Sequence, residues 1–307
     1  MIKWQDENGD ICCGESIVKR NNFDIIECTR CGFKHAIPLP SVNELSTYYQ
    51  EQYYEQERKV DYAEKQKEQE KWWNRIYLSR CEQFKNILGN TGRILDIGCG
   101  PGFFMQRAEQ LGWEATGIEP SKKSSNYAKN LGLKVHNLNI ESIEDCNFDE
   151  GCFDVIYSHG VLEHMRKPDL FFSNAKKYLK NGGLLFYSVA NDFNPIQNVM
   201  LQNSDMTPWW VVPPEHLNYF DKSSAENIAK KNGFDVISGT STFPIDIFLL
   251  MGDNYILDKK LGSEAHDRIV AFEDSILKSA NEKLLNEIYK KFYEIGIGRQ
   301  LEIIARK

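Results

Sequence analysis

Residues 93–102 read Arg-Ile-Leu-Asp-Ile-Gly-Cys-Gly-Pro-Gly. The apolar run that ends at Ile97 predicts a buried β-strand, and the alternating glycines directly after it predict a tight turn. A helical pattern follows the turn, and a second strand pattern then ends in Glu119. A unit made of strand, glycine turn, helix and strand is typical of domains that bind a nucleoside-containing cofactor. The spacing of the glycines indicates which kind of cofactor this is.

The glycine spacing favours a cationic cofactor that carries no phosphate. The pattern G-x-G-x-G is formed by Gly98, Gly100 and Gly102. A dinucleotide fingerprint reads G-x-G-x-x-G instead, and Phe103 occupies the position of its third glycine. Pro101 also removes a backbone N–H that a phosphate would use. Asp96, near the end of the strand, adds a carboxylate that suits a cationic group.

Strand and helix patterns alternate along most of the chain, which predicts an α/β fold with a doubly wound, Rossmann-like sheet of seven strands. We expect this sheet to be mostly parallel with an antiparallel last strand. The predicted strands cover residues 93–97, 113–118, 133–138, 153–158, 184–189, 234–239 and 300–305. The predicted helices cover residues 101–111, 121–130, 168–179 and 222–232. Residues 181–183, Asn-Gly-Gly, predict a helix stop, residues 191–221 a long loop, and residues 246–292 a helical insertion before the last strand.

Composition sets limits on the function. The chain has 307 residues, a formal charge of −7 and no evident basic face, so we do not expect a nucleic-acid substrate. No apolar run approaches the roughly 20 residues of a membrane-spanning helix, and the first residues lack an apolar signal core. The cytoplasm is therefore the expected compartment. The sequence does not decide between a monomer and a homodimer.

Three motifs in order resemble those of the class I S-adenosyl-L-methionine-dependent methyltransferases. The first is Leu-Asp-Ile-Gly-Cys-Gly-Pro-Gly at 95–102, and the second is Glu119 at the end of the next strand. The third is Phe-Asp-Val-Ile-Tyr-Ser at 153–158 together with Val-Leu-Glu-His at 161–164. The resemblance covers about residues 90–240, and the final predicted strand also fits the family's fold.

The resemblance implies a cofactor site for S-adenosyl-L-methionine. Glu119 would accept hydrogen bonds from both ribose hydroxyls, and Asp96 would face the ammonium of the methionine part. Ile140 would contact the adenine, and Ser158 and His159 would flank the sulfonium. The full set of expected cofactor residues is Asp96, Gly98, Cys99, Gly100, Gly102, Phe103, Glu119, Pro120, Ile140, Ser158 and His159.

Two histidines are candidates for the general base that methyl transfer often needs. His216 lies in Glu-His-Leu-Asn-Tyr-Phe at 215–220, which is similar to a segment of methyltransferases that act on sugars. The resemblance implies His216 as base and Glu215 as its supporting acid. His164 is the second candidate. Either histidine can instead have a purely structural role, and His159 stands where quinone-pathway enzymes carry a Glu, which argues against a divalent metal there.

The N-terminal part predicts two small segments before the methyltransferase domain at 91–307. Residues 1–45 form a segment like a zinc ribbon, with candidate metal ligands Cys12, Cys13, Cys28 and Cys31. Adjacent cysteines suit one tetrahedral ion poorly, so either one of the first pair with His35 completes the set, or the segment holds no zinc. Residues 46–90 are rich in aromatic residues and predict a helical lid or linker, with a helix from about residue 60 to 88. Its aromatic residues, and Trp209 and Trp210 further on, either pack in the core or close a substrate pocket.

These observations predict a methyltransferase for a small polar metabolite, most plausibly a nucleotide-linked or glycan sugar methylated on oxygen or carbon. A quinone-like or lipid-like acceptor and a macromolecular acceptor are the alternatives within the enzyme class. An NAD-dependent dehydrogenase or epimerase would need a glycine at position 103. A non-catalytic interaction protein with a zinc ribbon would have no need of the intact cofactor motifs.

Overall fold

The computed structural model describes residues 1–5, 9–48 and 66–307. The strands in these ranges form two β-sheets. The strands are β1 Ile2–Gln5, β2 Ile11–Arg20, β3 Phe23–Cys28, β4 Lys34–Ile37, β5 Arg93–Ile97, β6 Glu114–Ile118, β7 Lys134–His136, β8 Phe153–His159, β9 Leu179–Ala190, β10 Asn218–Tyr219, β11 Asp235–Ser241 and β12 Gln300–Arg306. The α-helices are α1 Val42–Tyr48, α2 Glu70–Leu88, α3 Phe103–Gln110, α4 Lys122–Asn130, α5 Pro168–Tyr178, α6 Pro195–Asn203, α7 Lys222–Lys231, α8 Ile247–Leu250, α9 Lys259–Lys278 and α10 Glu282–Glu294.

The larger sheet has seven strands in the order β11-β12-β9-β8-β5-β6-β7. Strand β5 pairs in parallel with β6 and with β8, and β6 pairs in parallel with β7. Strand β12 is antiparallel to β9, because the N–H of Lys307 donates to the carbonyl of Gly183 while the N–H of Asn191 donates to that of Arg299. This confirms the predicted α/β fold with its seven-stranded, mostly parallel sheet and antiparallel last strand.

The chain divides into two compact units. Unit I comprises residues 1–39, 188–231 and 236–303, and unit II comprises residues 40–187, 232–235 and 304–307. In unit I, the smaller sheet has the order β1-β2-β3-β4-β10, so a strand distant in sequence completes the N-terminal strands. In unit II, parallel strands and their connecting helices enclose a core of aromatic and aliphatic side chains, including Tyr77, Phe84 and Phe104.

Local signals explain where the helices begin and end. The Ser121 hydroxyl accepts the N–H of Ser124 and caps α4, as its place in the sequence predicts. Helix α2 ends at Gly89, whose φ of 83° gives the left-handed conformation that closes a helix. The helical insertion is confirmed by α8, α9 and α10. No helix in the described ranges is long and apolar enough to cross a bilayer.

Three predicted elements need correction. Residues 191–221 are not a continuous loop, because Asn194 and Gln197 form a capping box that starts α6 at Pro195. The sequence 181–183 is not a helix stop. Helix α5 already ends at Tyr178, and these residues belong to β9, where Gly182 and Gly183 pair with the chain end at Lys307.

The third correction concerns the helix predicted over residues 101–111. It begins at Phe103, because Gly102 just before it has a φ of 83°. The segment like a zinc ribbon that is predicted over residues 1–45 contains β1 to β4. Part of the predicted lid or linker, residues 49–65 with four of its tyrosines, lies outside the described residues.

Candidate functional site

The glycine turn after β5 lies at the carboxyl edge of the parallel strands in unit II. The φ angles of Gly98, Gly100 and Gly102 are 78°, 55° and 83°, a region that side-chain-bearing residues rarely adopt. A Cβ on Gly98 would lie 2.5 Å from Cγ2 of Val161, so this position also needs glycine for space. The N–H groups of Gly98 and Cys99 donate to the Ile118 carbonyl, at 2.8 and 3.1 Å, which fixes the turn against the end of β6.

The carboxylate of Glu119 is held beside this turn. Its Oε2 accepts the N–H of Gly100 and its Oε1 accepts the N–H of Ser121, both at 2.8 Å. The Asn137 side chain donates to the Glu119 carbonyl at 2.8 Å and so supports the backbone there. A carboxylate has about four acceptor sites, so two backbone contacts can orient Glu119 without excluding hydrogen bonds from a ligand.

Asp96 is a buried carboxyl on β5, with 2% of its surface exposed. Burial and the nearby Glu119 raise the pKa of Asp96 well above its usual range, while the charge of Arg80 lowers it. Arg80 comes from α2, is itself buried, donates to the Tyr157 hydroxyl and lies 4.9 Å over the ring of Phe186. A carboxyl in this position is stabilised in its ionised form by any cationic ligand that approaches it.

A cavity of about 450 Å³ in unit II adjoins these groups, within the size range of small-molecule sites. Nine of the eleven expected cofactor residues line it: Asp96, Gly98, Cys99, Gly100, Phe103, Glu119, Pro120, Ile140 and His159. The other two do not line it. Gly102 packs against Ala128 and Leu133, and Ser158 is buried on the opposite face of β8 from His159, as strand alternation requires.

Aromatic side chains form one wall of the cavity. Trp73 stacks on Tyr77 at 5.5 Å between ring centroids, and its edge meets His159 at 6.0 Å. The side-chain amide of Gln66 donates to the Tyr77 hydroxyl at 3.1 Å. Burial, with a further contribution from the charge of Arg80, lowers the pKa of His159 to about 3. The His159 imidazole is therefore neutral at physiological pH.

Arg80 lies outside the sequence motifs that mark the site, although the sequence does carry a signal for it. Tyr77, Arg80, Cys81 and Phe84 follow the i, i+3, i+4, i+7 spacing of one helix face, and all four are buried. An arginine on an otherwise apolar face is uncommon and indicates a buried partner. Of the segment's aromatic residues, Trp73 and Tyr77 both pack in the core and line the cavity, so the two alternatives are not exclusive here.

The three candidate catalytic residues lie in different units. His164 lines the cavity in unit II, in a short 3₁₀ segment, Leu162–His164. Glu215 and His216 lie in unit I, where the N–H groups of both donate to the Val212 carbonyl, at 3.0 and 3.2 Å. The Tyr219 hydroxyl donates to the His216 carbonyl at 2.8 Å. The backbone around His216 is thus held in a defined turn while its ring is only half-buried.

Trp210 is a core residue of unit I. It is buried against Ile25, Ala36 and Tyr219. Trp209 packs at the edge of the same cluster, with the two indole rings 4.7 Å apart. This arrangement supports the packing alternative for Trp210.

The N-terminal strands of unit I assemble a second cluster of functional groups. The sulfur atoms of Cys12, Cys28 and Cys31 and a ring nitrogen of His35 all lie within 4.8 Å of one another. The Sγ atoms of Cys12 and Cys31 are 3.7 Å apart, and the N–H of Cys31 donates to the Cys28 sulfur at 3.4 Å. Cys13 is not in the cluster. It follows Cys12 on β2, so its side chain faces the other way and contacts the Thr29 hydroxyl at 3.2 Å.

The donor set of this cluster fits a zinc ion. Two thiolates on one zinc, with bonds of ~2.3 Å, lie ~3.8 Å apart. The Nδ1 of His35 lies 3.1 Å from the Ala36 carbonyl, which leaves Nε2 for a metal and matches the usual support of a ligating imidazole. Hydrogen bonds from Cys12 and Cys31 lower the pKa of Cys28, which favours the thiolate that zinc requires.

Comparison with known proteins gives a family match over more than half of the chain. A family model described as a methyltransferase domain matches residues 50–239. The ubiquinone biosynthesis O-methyltransferase of Agrobacterium fabrum is 27% identical over 161 residues, which cover 49% of this chain and 62% of that protein. The protein of the same name from Pelagibacter ubique is 33% identical over 102 residues, which cover 32% of this chain and 42% of that protein. The chain thus matches less than two thirds of the length of these relatives.

Solved structures with a similar backbone trace include two methyltransferases. One is a SAM-dependent methyltransferase from Archaeoglobus fulgidus, with a TM-score of 0.47 and 14% identity over 76% of this chain and 94% of that chain. The other is geranyl diphosphate C-methyltransferase from Streptomyces coelicolor, with a TM-score of 0.49 and 16% identity over 76% of this chain and 81% of that chain.

Proposed function

The chain belongs to the methyltransferase-domain family, and from this premise we propose that it transfers a methyl group from S-adenosyl-L-methionine to a small polar metabolite. The observation that carries the proposal is the presence of an oriented carboxylate, Glu119, and a buried carboxyl, Asp96, beside the turn at 98–102. The two groups match the ribose hydroxyls and the cationic amino-acid part of this cofactor.

The residues of the cavity fit the proposed cofactor. Glu119 would accept hydrogen bonds from the ribose hydroxyls through the carboxylate oxygens that Gly100 and Ser121 orient. Asp96 would face the cationic amino-acid part, where a positive charge lowers its raised pKa. A pyrophosphate beside these two carboxyls would be repelled, which disfavours a dinucleotide. The cofactor supplies an electrophilic methyl group on a sulfonium.

The remaining cavity residues would orient the cofactor and exclude water. Ile140 lies 3.7 Å from the position that a Cβ on Gly98 would take, so it forms an apolar surface beside the turn that suits the adenine. Trp73 and the neutral His159 ring also line the cavity and contact each other there. A neutral imidazole, unlike an imidazolium, adds no repulsion to a cationic sulfonium.

We assign the proton-removing role to His216, with Glu215 as its supporting acid and His164 as the alternative base. The proposed test is turnover and cofactor affinity of His216→Ala and His164→Ala. Loss of a general base lowers turnover about 10²- to 10⁴-fold and leaves the affinity for S-adenosylhomocysteine unchanged. If only His164→Ala loses turnover, the base is His164, and if neither does, positioning alone suffices.

For the acceptor, we propose a nucleotide-linked or glycan sugar, methylated on oxygen or carbon. The support is the likeness of residues 215–220 to a segment of methyltransferases that act on sugars. A quinone-pathway phenol is the second candidate, because the relatives named above are ubiquinone biosynthesis O-methyltransferases. A panel of nucleotide sugars and phenols, read by product mass, separates the two. Methylated sugar supports the first proposal, and product from phenols alone supports the second.

Zinc is the second cofactor that we propose, with Cys12, Cys28, Cys31 and His35 as its ligands. Relative to the expected set, His35 replaces Cys13. Metal analysis of the purified protein tests this assignment. We expect one zinc per chain in the wild type and in Cys13→Ser, and its loss in Cys28→Ser.

The cofactor assignment is tested by titration calorimetry of the wild-type protein. S-adenosyl-L-methionine and S-adenosylhomocysteine should each bind one molecule per chain, and NAD should not bind. Absence of binding of both sulfur compounds at millimolar concentration would contradict the proposed function.

A further inference from the structure

Strand β4 joins the cysteine cluster to the segment that carries His216. In the register of the smaller sheet, His35 pairs with Ile26 of β3 on one side and with Asn218 of β10 on the other. One proposed zinc ligand is thus the direct strand neighbour of a residue two positions after His216. We name residues 215–221 the histidine segment.

Each residue from 33 to 36 contacts the histidine segment. The ring of Phe33 lies 5.0 Å from that of Phe220, and the N–H of Ala36 donates to the Leu217 carbonyl at 2.8 Å. The ammonium of Lys34 lies 3.3 Å from a carboxylate oxygen of Asp221. The four consecutive residues therefore align backbone, rings and charges with the histidine segment.

On the sheet face that carries the cysteines, the apolar support of these strands is small, whereas Ile25 and Ala36 on the other face pack against Trp210. The cluster of buried apolar groups around the cysteines contains Cys12, Ile26, Cys28 and Ile37, so two of its four members are proposed ligands. An apolar cluster as small as this one contributes little stability by itself, and a metal commonly makes up the difference. Strand β10 has only two residues and pairs with β4, while Phe220 just after it pairs with Asn191 and accepts the N–H of Asp192 at 2.7 Å.

We infer that the zinc centre positions the histidine segment, with His35 and β4 as the connection. The inference rests on the proposed zinc site and extends it from a local support to a positioning device for the proposed base. Zinc holds β4 against β3 through Cys28 and His35. Strand β4 in turn holds Leu217 to Asp221, and the turn closed by Tyr219 sets the backbone at His216.

Hydrogen exchange read by mass spectrometry tests the inference on the full chain, with and without removal of zinc by a chelator. Zinc removal should raise exchange about ten-fold or more in peptides from 212–221 and from 24–37 together. Peptides from 93–119 in unit II should keep their exchange rates, and S-adenosylhomocysteine should bind with unchanged affinity. This last measurement separates a failure of the inference from a failure of the proposed cofactor site.

Three variants sharpen the test. His35→Gln should lose zinc and show the same rise in exchange at 212–221, whereas His35→Cys should keep zinc and protection because it offers a fourth thiolate. Cys13→Ser is the matched control and should behave as the wild type. Unchanged exchange at 212–221 after zinc loss would overturn the inference, and so would an equal rise at 93–119. A wild-type protein that binds no zinc would also overturn it.

Discussion

Replacement of Glu119 by glutamine removes one negative charge and one acceptor oxygen from the proposed ribose contact. In the structure, both carboxylate oxygens accept a backbone N–H at 2.8 Å, from Gly100 and from Ser121. Glutamine has a single acceptor oxygen, so its amide group must face one of these N–H donors, and the ribose hydroxyl on that side loses its charged acceptor. A lost hydrogen bond to a charged group costs about 1.5–3 kcal/mol. We therefore expect Glu119→Gln to weaken S-adenosylhomocysteine about 10- to 150-fold.

The same strand offers a matched control for this prediction. Glu114 begins β6, its side chain is 65% exposed, and its partner is Arg93 at 3.6 Å. An exposed ion pair of this kind contributes little, about 0–1 kcal/mol, so Glu114→Gln should bind the cofactor as the wild type does. Calorimetry on both variants is the assay. Binding by Glu119→Gln within about two-fold of wild type would refute the ribose assignment, since the stated loss starts at about ten-fold.

Three further predictions follow from the same pocket. Asp96→Asn should weaken the binding of S-adenosylhomocysteine but not of methylthioadenosine, which lacks the amino-acid part. It should also stabilise the free protein at neutral pH. Burial raises the pKa of Asp96, so at any pH above the pKa that this group has in the unfolded chain, the folded state is destabilised by the tendency of Asp96 to ionise. Equal weakening of both ligands in calorimetry would contradict this, as would a lower melting temperature. Gly98→Ala should abolish cofactor binding, because its Cβ clashes with Val161. The control is Gly132→Ala, since Gly132 has a φ of 86° and a Cβ there has no neighbour within 4 Å, so this variant should lose only about 1 kcal/mol of stability to backbone strain. If the two variants had equal effects on cofactor binding and on urea unfolding, the steric argument would be contradicted. Because the pKa of His159 is lowered in the folded state, below about pH 6.5 the unfolded chain takes up a proton that the folded chain does not. Acidification from there towards about pH 3 therefore lowers the free energy of unfolding, and His159→Gln should make that free energy, measured by urea unfolding, less dependent on pH. An unchanged pH slope would show that His159 does not titrate as the structure implies.

Local patterns in the sequence carry the cofactor half of the site. The glycine turn, Asp96 and Glu119 lie within 24 consecutive residues, 96–119, and each has a chemical signature that needs no tertiary information. The parallel strands place these residues at one edge because the carboxyl ends of β5 and β6 are adjacent. The positive φ angles of all three glycines agree with the reason for which glycine was expected there.

The direction in which a side chain faces decides two questions that the sequence leaves open, the choice of one metal ligand and the burial of Arg80. The choice between Cys12 and Cys13 depends on which of the two lies on the same sheet face as Cys28 and His35, and strand alternation allows only one of two adjacent side chains on that face. The N-terminal strands were not predicted, so this argument was not available. The importance of Arg80 also depends on the direction in which its side chain faces, because it lies on the buried helix face that carries Tyr77 and Phe84.

Long-range pairing accounts for the rest. Strand β10 consists of two residues, and its partner β4 lies more than 180 positions earlier in the chain. No periodicity within residues 191–221 signals that pairing, since two residues cannot show an alternating pattern. The connection between the cysteine cluster and the histidine segment is therefore visible only in the structure.

The most direct test of the central claim is an NMR titration of the wild-type protein with S-adenosylhomocysteine, followed at the backbone amides of Gly100 and Ser121. These two amides donate to Glu119 and adjoin the proposed ribose position. We predict saturable shifts of both amides and of Ile140, no shift at Gly132, and no response to NAD. Absence of shifts at Gly100 and Ser121 would contradict the cofactor assignment, and so would the same response to NAD.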